Sequence, residues 1–375
     1  MNEQTPTLPN PLLSLHQQTA AEFQPYAQVE IVSTFGQPSG EYAALHTGVG
    51  IMDLPQRGLL ELTGKDRLTF LNNLLSNKTW DKETKTGLKA GEGTYAFFLN
   101  GKGRIVTDMN VLELGERTLL EMDGRLVPQI RQVFEKYIFT EQVKLADRTS
   151  ELHQIGLFGP KSVQVFQAAG INVSTLPPLG SLSVKVFGLD AVVWRDDVTG
   201  PPGFILICPI ESTAKLWQQL SASDIRPVGW AAFNASRIEA GRPIFGIDFD
   251  DSVLPAETGQ FNRAVSVTKG CYLGQEIVAR MYARQQLARQ LVGLRMENDA
   301  LPMSGTKIFD DAENEIGVVT SSTLSPVLSN IAIALGYLKK PFFAVGTAVR
   351  IPAEGSLRRA NVVELPFVRP EGTSQ

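Results

Sequence analysis

Val267-Thr-Lys-Gly-Cys-Tyr-Leu-Gly-Gln-Glu-Ile-Val-Ala-Arg280 is a polar, glycine-flanked loop that runs into Leu273, Ile277, Val278 and Met281. That apolar spacing predicts the opening of an amphipathic helix. Cys271 is expected at or just before the helix start, where unpaired N–H groups and the positive end of the helix dipole favour a thiolate. The Lys269 ammonium acts in the same direction. Cys271 is then either a reactive thiol or a small residue packed in a turn, since free cysteine is among the most buried residue types. The other cysteine, Cys208, lies in the apolar run Phe204-Ile-Leu-Ile-Cys-Pro209 and reads as a strand core residue.

Downstream of this loop, from Arg289 on, short β-rich runs are separated by Gly, Pro, Asn and Ser clusters: Leu291–Met296, Gly305–Phe309, Ile316–Ser321, Ile331–Leu338 and Ala348–Ile351. That spacing predicts a compact β-barrel, with its boundary near residues 285 to 290. Upstream, residues 1 to 40 are polar and proline-rich, with a short helix expected around Leu12 to Phe23, and form a lead-in. Asp66 is placed to cap a helix carrying Leu68, Phe70, Leu71, Leu74 and Leu75. Asn100-Gly101 between two β-rich runs signals a hairpin. In its second strand Val106, Asp108, Asn110 and Leu112 share one face. If that face lines a cavity, Asp108 can take a proton from a ligand nitrogen, with Asn110 beside it; if it faces solvent, Asp108 is a surface acid. Helices are predicted over Leu126 to Ile138, Glu211 to Leu220 and Trp230 to Ala240, the last closed by Gly241. Its Arg237 and Glu239 either reach a ligand or solvate a face.

With 375 residues, 43% apolar and 20% charged, the chain exceeds one ordinary core and has the balance of a globular protein of two or three domains. A net charge of −4 singles out neither a nucleic-acid nor a membrane partner. Two cysteines and three histidines (His16, His46, His153) supply neither a disulfide framework nor a zinc ligand set, so no metal is expected. No apolar run reaches the roughly 18 residues of a membrane span, and the first residues have no leader character. A reducing cytoplasm is the expected compartment. Phosphate-loop and dinucleotide fingerprints are missing.

Lys269-Gly-Cys-Tyr-Leu-Gly-Gln-Glu276 resembles the signature of the YgfZ family, tetrahydrofolate-binding proteins that support iron–sulfur enzymes and are sisters of the glycine cleavage aminomethyltransferase, the T-protein. Gly50–Leu54, Gly64–Leu71, Gly103–Asp108, Arg237–Gly241 and Gly317–Pro326 occur in the order seen in T-proteins, so the likeness runs from about residue 43 to 350. It implies an α+β fold of three domains in a ring around a folate channel. Residues 41 to 287 would form two partly interleaved α+β domains, and residues 288 to 370 an antiparallel β-barrel.

Carried over by position, the resemblance makes Asp108 the carboxylate at the folate nitrogens, and Lys269 and Cys271 functional residues of the YgfZ branch. Asn110, Arg237, Lys269, Tyr272, Gln275 and Glu276 are the further expected folate contacts. The chain departs from T-proteins where Pro201 stands in place of a folate-holding glutamate and where Pro55-Gln-Arg-Gly58 replaces Ser-His-Met-Gly. Those departures and the thiol give the expected function: a folate-binding accessory protein whose partners are iron–sulfur enzymes or cluster carriers. The alternative is a tetrahydrofolate-dependent aminomethyltransferase. One thiolate cannot hold a cluster that takes four ligands, so in the first reading partners supply the rest.

Overall fold

A computed structural model describes residues 8–27, 29–222, 224–284 and 287–369. Residues 1–7 of the expected lead-in lie outside it. The chain builds two mixed α+β units and a closed barrel. The first unit has a five-stranded antiparallel sheet in the order Lys144–Asp147, Arg57–Thr63, Arg117–Asp123, Ile105–Glu113, Gly93–Leu99. The second has six strands, in the order Ser181–Val186, Leu189–Arg195, Gly203–Pro209, Leu152–Phe158, Gly50–Asp53, Arg226–Pro227. Strand Gly50–Asp53 belongs to the second sheet although it precedes the whole first one, so the two units interleave along the chain. Six antiparallel strands then close the barrel: Arg289–Met296, Ile331–Lys339, Glu315–Ser325, Lys307–Phe309, Ala348–Ala353 and Ser356–Val363.

Alternation of side chains explains how each sheet serves two cores. In strand Ile105–Glu113, Met109 and Val111 pack on one side against Phe70, Leu74 and Phe134, which come from helices Arg67–Leu74 and Val127–Glu135. A second cluster joins all three units: Tyr95, Phe97, Phe158, Trp194 and Phe233 pack in continuity with Ile333, Leu335 and Tyr337 of the barrel. The site lies in this shared layer.

Several local expectations are corrected. The lead-in is integral to the core: Leu12 and His16 are buried, the helix is only Leu13–His16, and the chain then forms a hairpin of Glu22–Tyr26 with Val29–Thr34. Pro25 and the alternating pattern around it suit an edge strand better than a longer helix. His16 and His153 both hold Asp53, through Nε2 atoms 3.0 and 2.6 Å from its two oxygens. Against the penalty of burial, the two imidazoles keep that carboxyl below its ordinary pKa. Asp66 does not cap its helix; its Oδ2 accepts instead from the Gln142 N–H across the unit, at 2.8 Å. At the Asn100-Gly101 hairpin the turn spans residues 100–104, because Asn100 Oδ1 accepts from the Lys102 and Arg104 N–H groups and Gly103 takes φ +70°.

Candidate active site

Three neighbouring strands of the first sheet present Arg57, Glu121, Asp108 and Asn110 to one cavity. Asn110 stands directly opposite Glu121 in register. Across from them come Tyr26 of the N-terminal hairpin, Trp194 and Asp196 at the end of a second-sheet strand, Trp230 and Phe233 of helix Trp230–Glu239, and Arg242 and Arg263. The cavity holds about 790 Å³ of space free of protein atoms, its open mouth included. Apolar walls with a few convergent polar groups are the make-up of small-molecule sites.

Two of its arginines are paired with carboxylates, while one acid is set apart. Arg57 forks onto Glu121, with Nε and Nη2 at 2.5 and 2.8 Å from the two oxygens, and the Asn110 amide donates to the same carboxylate at 2.8 Å. Arg263 lies over the Tyr95 ring, 4.1 Å from its centroid, and 3.7 Å from Asp196. Among the described residues Asp108 has no cation in contact. Its Oδ2 accepts from the Tyr95 hydroxyl at 2.8 Å, and its Oδ1 is buried with no partner among the described residues. Burial raises the Asp108 pKa above the usual carboxylate value, only partly offset by the Arg57 charge and the Tyr95 hydrogen bond. An acid of that kind takes up a proton more readily than an exposed aspartate.

Gln56 Oε1, Asn110 Oδ1 and Trp194 Nε1 are also buried and, among the described residues, unpartnered. Orphaned groups of this kind cost roughly 1–3 kcal/mol each unless something bonds to them. A bound molecule rich in ring nitrogens, amides and amines has the donors and acceptors that these four orphans lack, so the cavity fits a reduced folate.

Of the residues singled out in the sequence, the structure brings Asp108 and Asn110 together in this cavity. Lys269, Cys271, Tyr272, Gln275 and Glu276 lie outside the cavity, Lys269 and Tyr272 buried and Cys271 and Glu276 exposed. Cys271 is exposed and precedes by four residues the helix that starts at Gln275, with Gly274 at φ +80° between them. It therefore lacks the helix-end position expected for it. Lys269 is buried, and its ammonium donates to the carbonyls of Asn72, Leu75 and Asn77 at 2.6, 2.5 and 3.0 Å. Those are the loose carbonyls at the end of helix Arg67–Leu74, so the cation completes a helix terminus. Burial and the Lys82 charge bring it down to about 7.

Tyr272 packs with its ring centroid 4.8 Å from the Lys269 nitrogen, and Glu276 is exposed in an i,i+4 pair with Arg280. Arg237 is fully buried, paired to Asp248 and donating to Ser321 of the barrel at 2.6 Å, and it does not line the cavity. Glu239 is buried too, accepting from Tyr42 and Ser325 at 2.6 and 2.5 Å. Neither residue solvates a face.

Sequence reasoning missed Tyr26, Arg57, Tyr95, Trp194, Arg242 and Arg263. Only Trp194, a large aromatic at the end of an apolar strand, gave a local hint; the others are separated in sequence and meet only through the fold.

The chain matches the family model described as the GCVT N-terminal domain over residues 12–269 and the glycine cleavage T-protein C-terminal barrel domain over residues 289–369. It is similar to proteins named aminomethyltransferase from Geobacillus kaustophilus, at 29% identity over 96% of this chain and 98% of that one, and from Chloroherpeton thalassium, at 29% over 96% and 98%. Among solved structures it is similar to the glycine cleavage system aminomethyltransferase T from Bartonella henselae, with a TM-score of 0.86 and 25% identity over 96% of this chain and 97% of that one.

These matches overturn the accessory role with iron–sulfur enzymes or cluster carriers, because relatives spanning nearly the whole chain carry the aminomethyltransferase name, and the YgfZ branch has no support among them. The physical reason is that the octapeptide behind that expectation serves a helix end and a surface turn, apart from the cavity. Among the described residues no group of three or more His, Cys, Asp or Glu is placed to hold a metal ion, and no helix is long and apolar enough to cross a membrane. With its first 269 residues matched almost throughout by the one model and its barrel by the other, the chain belongs to the GCVT family.

Proposed function

We propose that this protein is a glycine-cleavage-type aminomethyltransferase that uses tetrahydrofolate. One observation carries the reading: Asp108 lies in the cavity between the two α+β units, with one oxygen fixed by Tyr95 and the other, among the described residues, free to meet a ligand nitrogen. Tetrahydrofolate, when bound, supplies the nucleophilic nitrogens that receive the one-carbon unit.

The chain's own residues do the rest. Tyr95 holds Asp108 in one orientation, so that Oδ1 can accept a proton from an amine without rotamer search. The pKa rise caused by burial makes that acceptance more favourable at neutral pH than for an exposed aspartate. The Arg57–Glu121 fork fixes the neighbouring wall, and its positive charge keeps Asp108 from being protonated too readily. Tyr26, Trp194, Trp230 and Phe233 supply flat apolar walls that exclude water from a conjugated ring system. Pro201 lines no part of this cavity, and Val198, Asp196 and Trp194 furnish that side of the wall instead.

The test is glycine-cleavage turnover with an aminomethylated lipoyl carrier protein and tetrahydrofolate. Turnover is expected in the wild type and should persist within about twofold in Cys271→Ser, because the thiol is exposed and outside the cavity. No turnover by well-folded wild type, or its loss in Cys271→Ser, would sink the reading.

A further inference from the structure

The central cavity adjoins a second recess against the barrel, and Arg242 lines both. The recess is walled by Thr258, Gln260, Leu291 and Leu365, with Asp197 on one side, while the preceding residue Asp196 faces the central cavity. Arg242 follows Gly241, whose φ of +64° turns the chain out of helix Trp230–Glu239. Its backbone is pinned at both polar groups by one residue: its N–H donates to the Arg237 carbonyl at 2.8 Å, and its carbonyl accepts from the Arg237 guanidinium at 3.2 Å. The side chain is thus set at the junction by a buried anchor.

The cations of the cavity differ in what they touch. Arg57 has Glu121, and Arg263 has Asp196 and the Tyr95 ring. Arg242 is half-buried, and among the described residues its guanidinium has no hydrogen-bond acceptor and no carboxylate within 4.0 Å. Burial and the like charge of Arg263 push its pKa below the ordinary guanidinium value, against the weaker pull of Asp196 and Asp197. Five N–H donors drawn partly out of water without an acceptor are unfavourable, and a carboxylate is the group that satisfies them two at a time.

We propose that Arg242 seats a carboxylate of the bound reduced folate at the junction of the two cavities, making it a specificity residue for the ligand's acidic end. The inference rests on the folate reading above. Asp108 takes the nitrogen-bearing end and does not line the second recess, whereas Arg242 lines both spaces, so the two residues address different parts of one elongated molecule. Room beyond Arg242 lets the acidic end continue toward the barrel.

Binding affinities separate this from the folate reading. Dissociation constants are measured by calorimetry for 5-formyltetrahydrofolate and for a tetrahydropterin lacking the benzoylglutamate moiety, on wild type, Arg242→Met, Arg242→Gln and Asp108→Asn. Arg242→Met and Arg242→Gln should weaken 5-formyltetrahydrofolate by about tenfold or more and leave the fragment unchanged. Asp108→Asn should weaken both. If both Arg242 variants bind the full ligand like the wild type, or lose fragment and full ligand equally, the carboxylate seat is wrong while the folate reading stands. If wild type binds neither compound, the folate reading falls and the seat with it.

Discussion

Arg237→Met is expected to cost about 3–5 kcal/mol of stability, the usual loss when one partner of a fully buried ion pair is removed. The pair is closed from every side: Arg237 and Asp248 are both inaccessible, and Arg237 donates through Nε to Asn234 at 2.9 Å and through Nη2 to Ser321 at 2.6 Å. Asp248 accepts in turn from Thr320 and Ser321, at 2.7 and 2.5 Å, and from the Ile244 N–H at 2.9 Å. Methionine fills much of the volume but leaves the carboxylate without its counter-charge. It also cuts the bond that fastens helix Trp230–Glu239 to the barrel strand Glu315–Ser325.

Arg237→Lys keeps a charge but not the planar fork, and should recover only part of the loss. Urea unfolding midpoints measure both variants. A cost under about 1 kcal/mol for the methionine variant would mean that the pair is not the fastening it is taken for.

Asp108→Asn should lower aminomethyl-transfer turnover by about 10²–10⁴-fold, the range for losing a positioned acid or base. The fold should be kept, since asparagine can still accept from the Tyr95 hydroxyl. The wild-type pH profile carries a second signature. Asp108 must be ionised to accept a proton, and its pKa is raised from the ordinary 3.8, so activity should fall on acidification at a pH above that value. The stability effect has the opposite sign to that of a salt-bridged aspartate. With the folded pKa above the unfolded one, the folded chain binds more protons in the window between them, and Asp108 costs stability as pH rises through it. In Asp108→Asn both the acidic limb and that stability slope should disappear. Residual turnover with the acidic limb intact would show that another group supplies the base.

How legible these features were in the sequence follows from the range of the interactions behind them. The barrel could be read from residue 291 onward because five of its six strands are β-rich runs bounded by turn residues, which is local information; the sixth, Ser356–Val363, was not read from the sequence. Alternation in Ile105–Glu113 correctly placed Asp108 and Asn110 on one face, but alternation alone does not say whether a face meets water or a cavity. That was decided by Trp194, Trp230 and Arg263, which reach the site from other elements.

Lys269 shows the converse. Its neighbours in sequence, Cys271 and Glu276, suggested chemistry, whereas its actual partners are the carbonyls of residues 72, 75 and 77, nearly two hundred positions away. Arg237 and Glu239 read as solvated or ligand-facing charges because nothing nearby in sequence announces Asp248, Tyr42 or the barrel serines. The Arg242 junction is invisible for the same reason: its second recess is completed by Thr258, Gln260 and the barrel residue Leu291, all distant in sequence.

The central claim is that the cavity at Asp108 is where a reduced folate binds. It is tested most directly by a structure of the protein with 5-formyltetrahydrofolate. The ligand is expected among Tyr26, Trp194 and Trp230, with one of its nitrogens within hydrogen-bonding distance of Asp108 Oδ1. A ligand held elsewhere, or a cavity left without one at saturating concentration, would contradict the account.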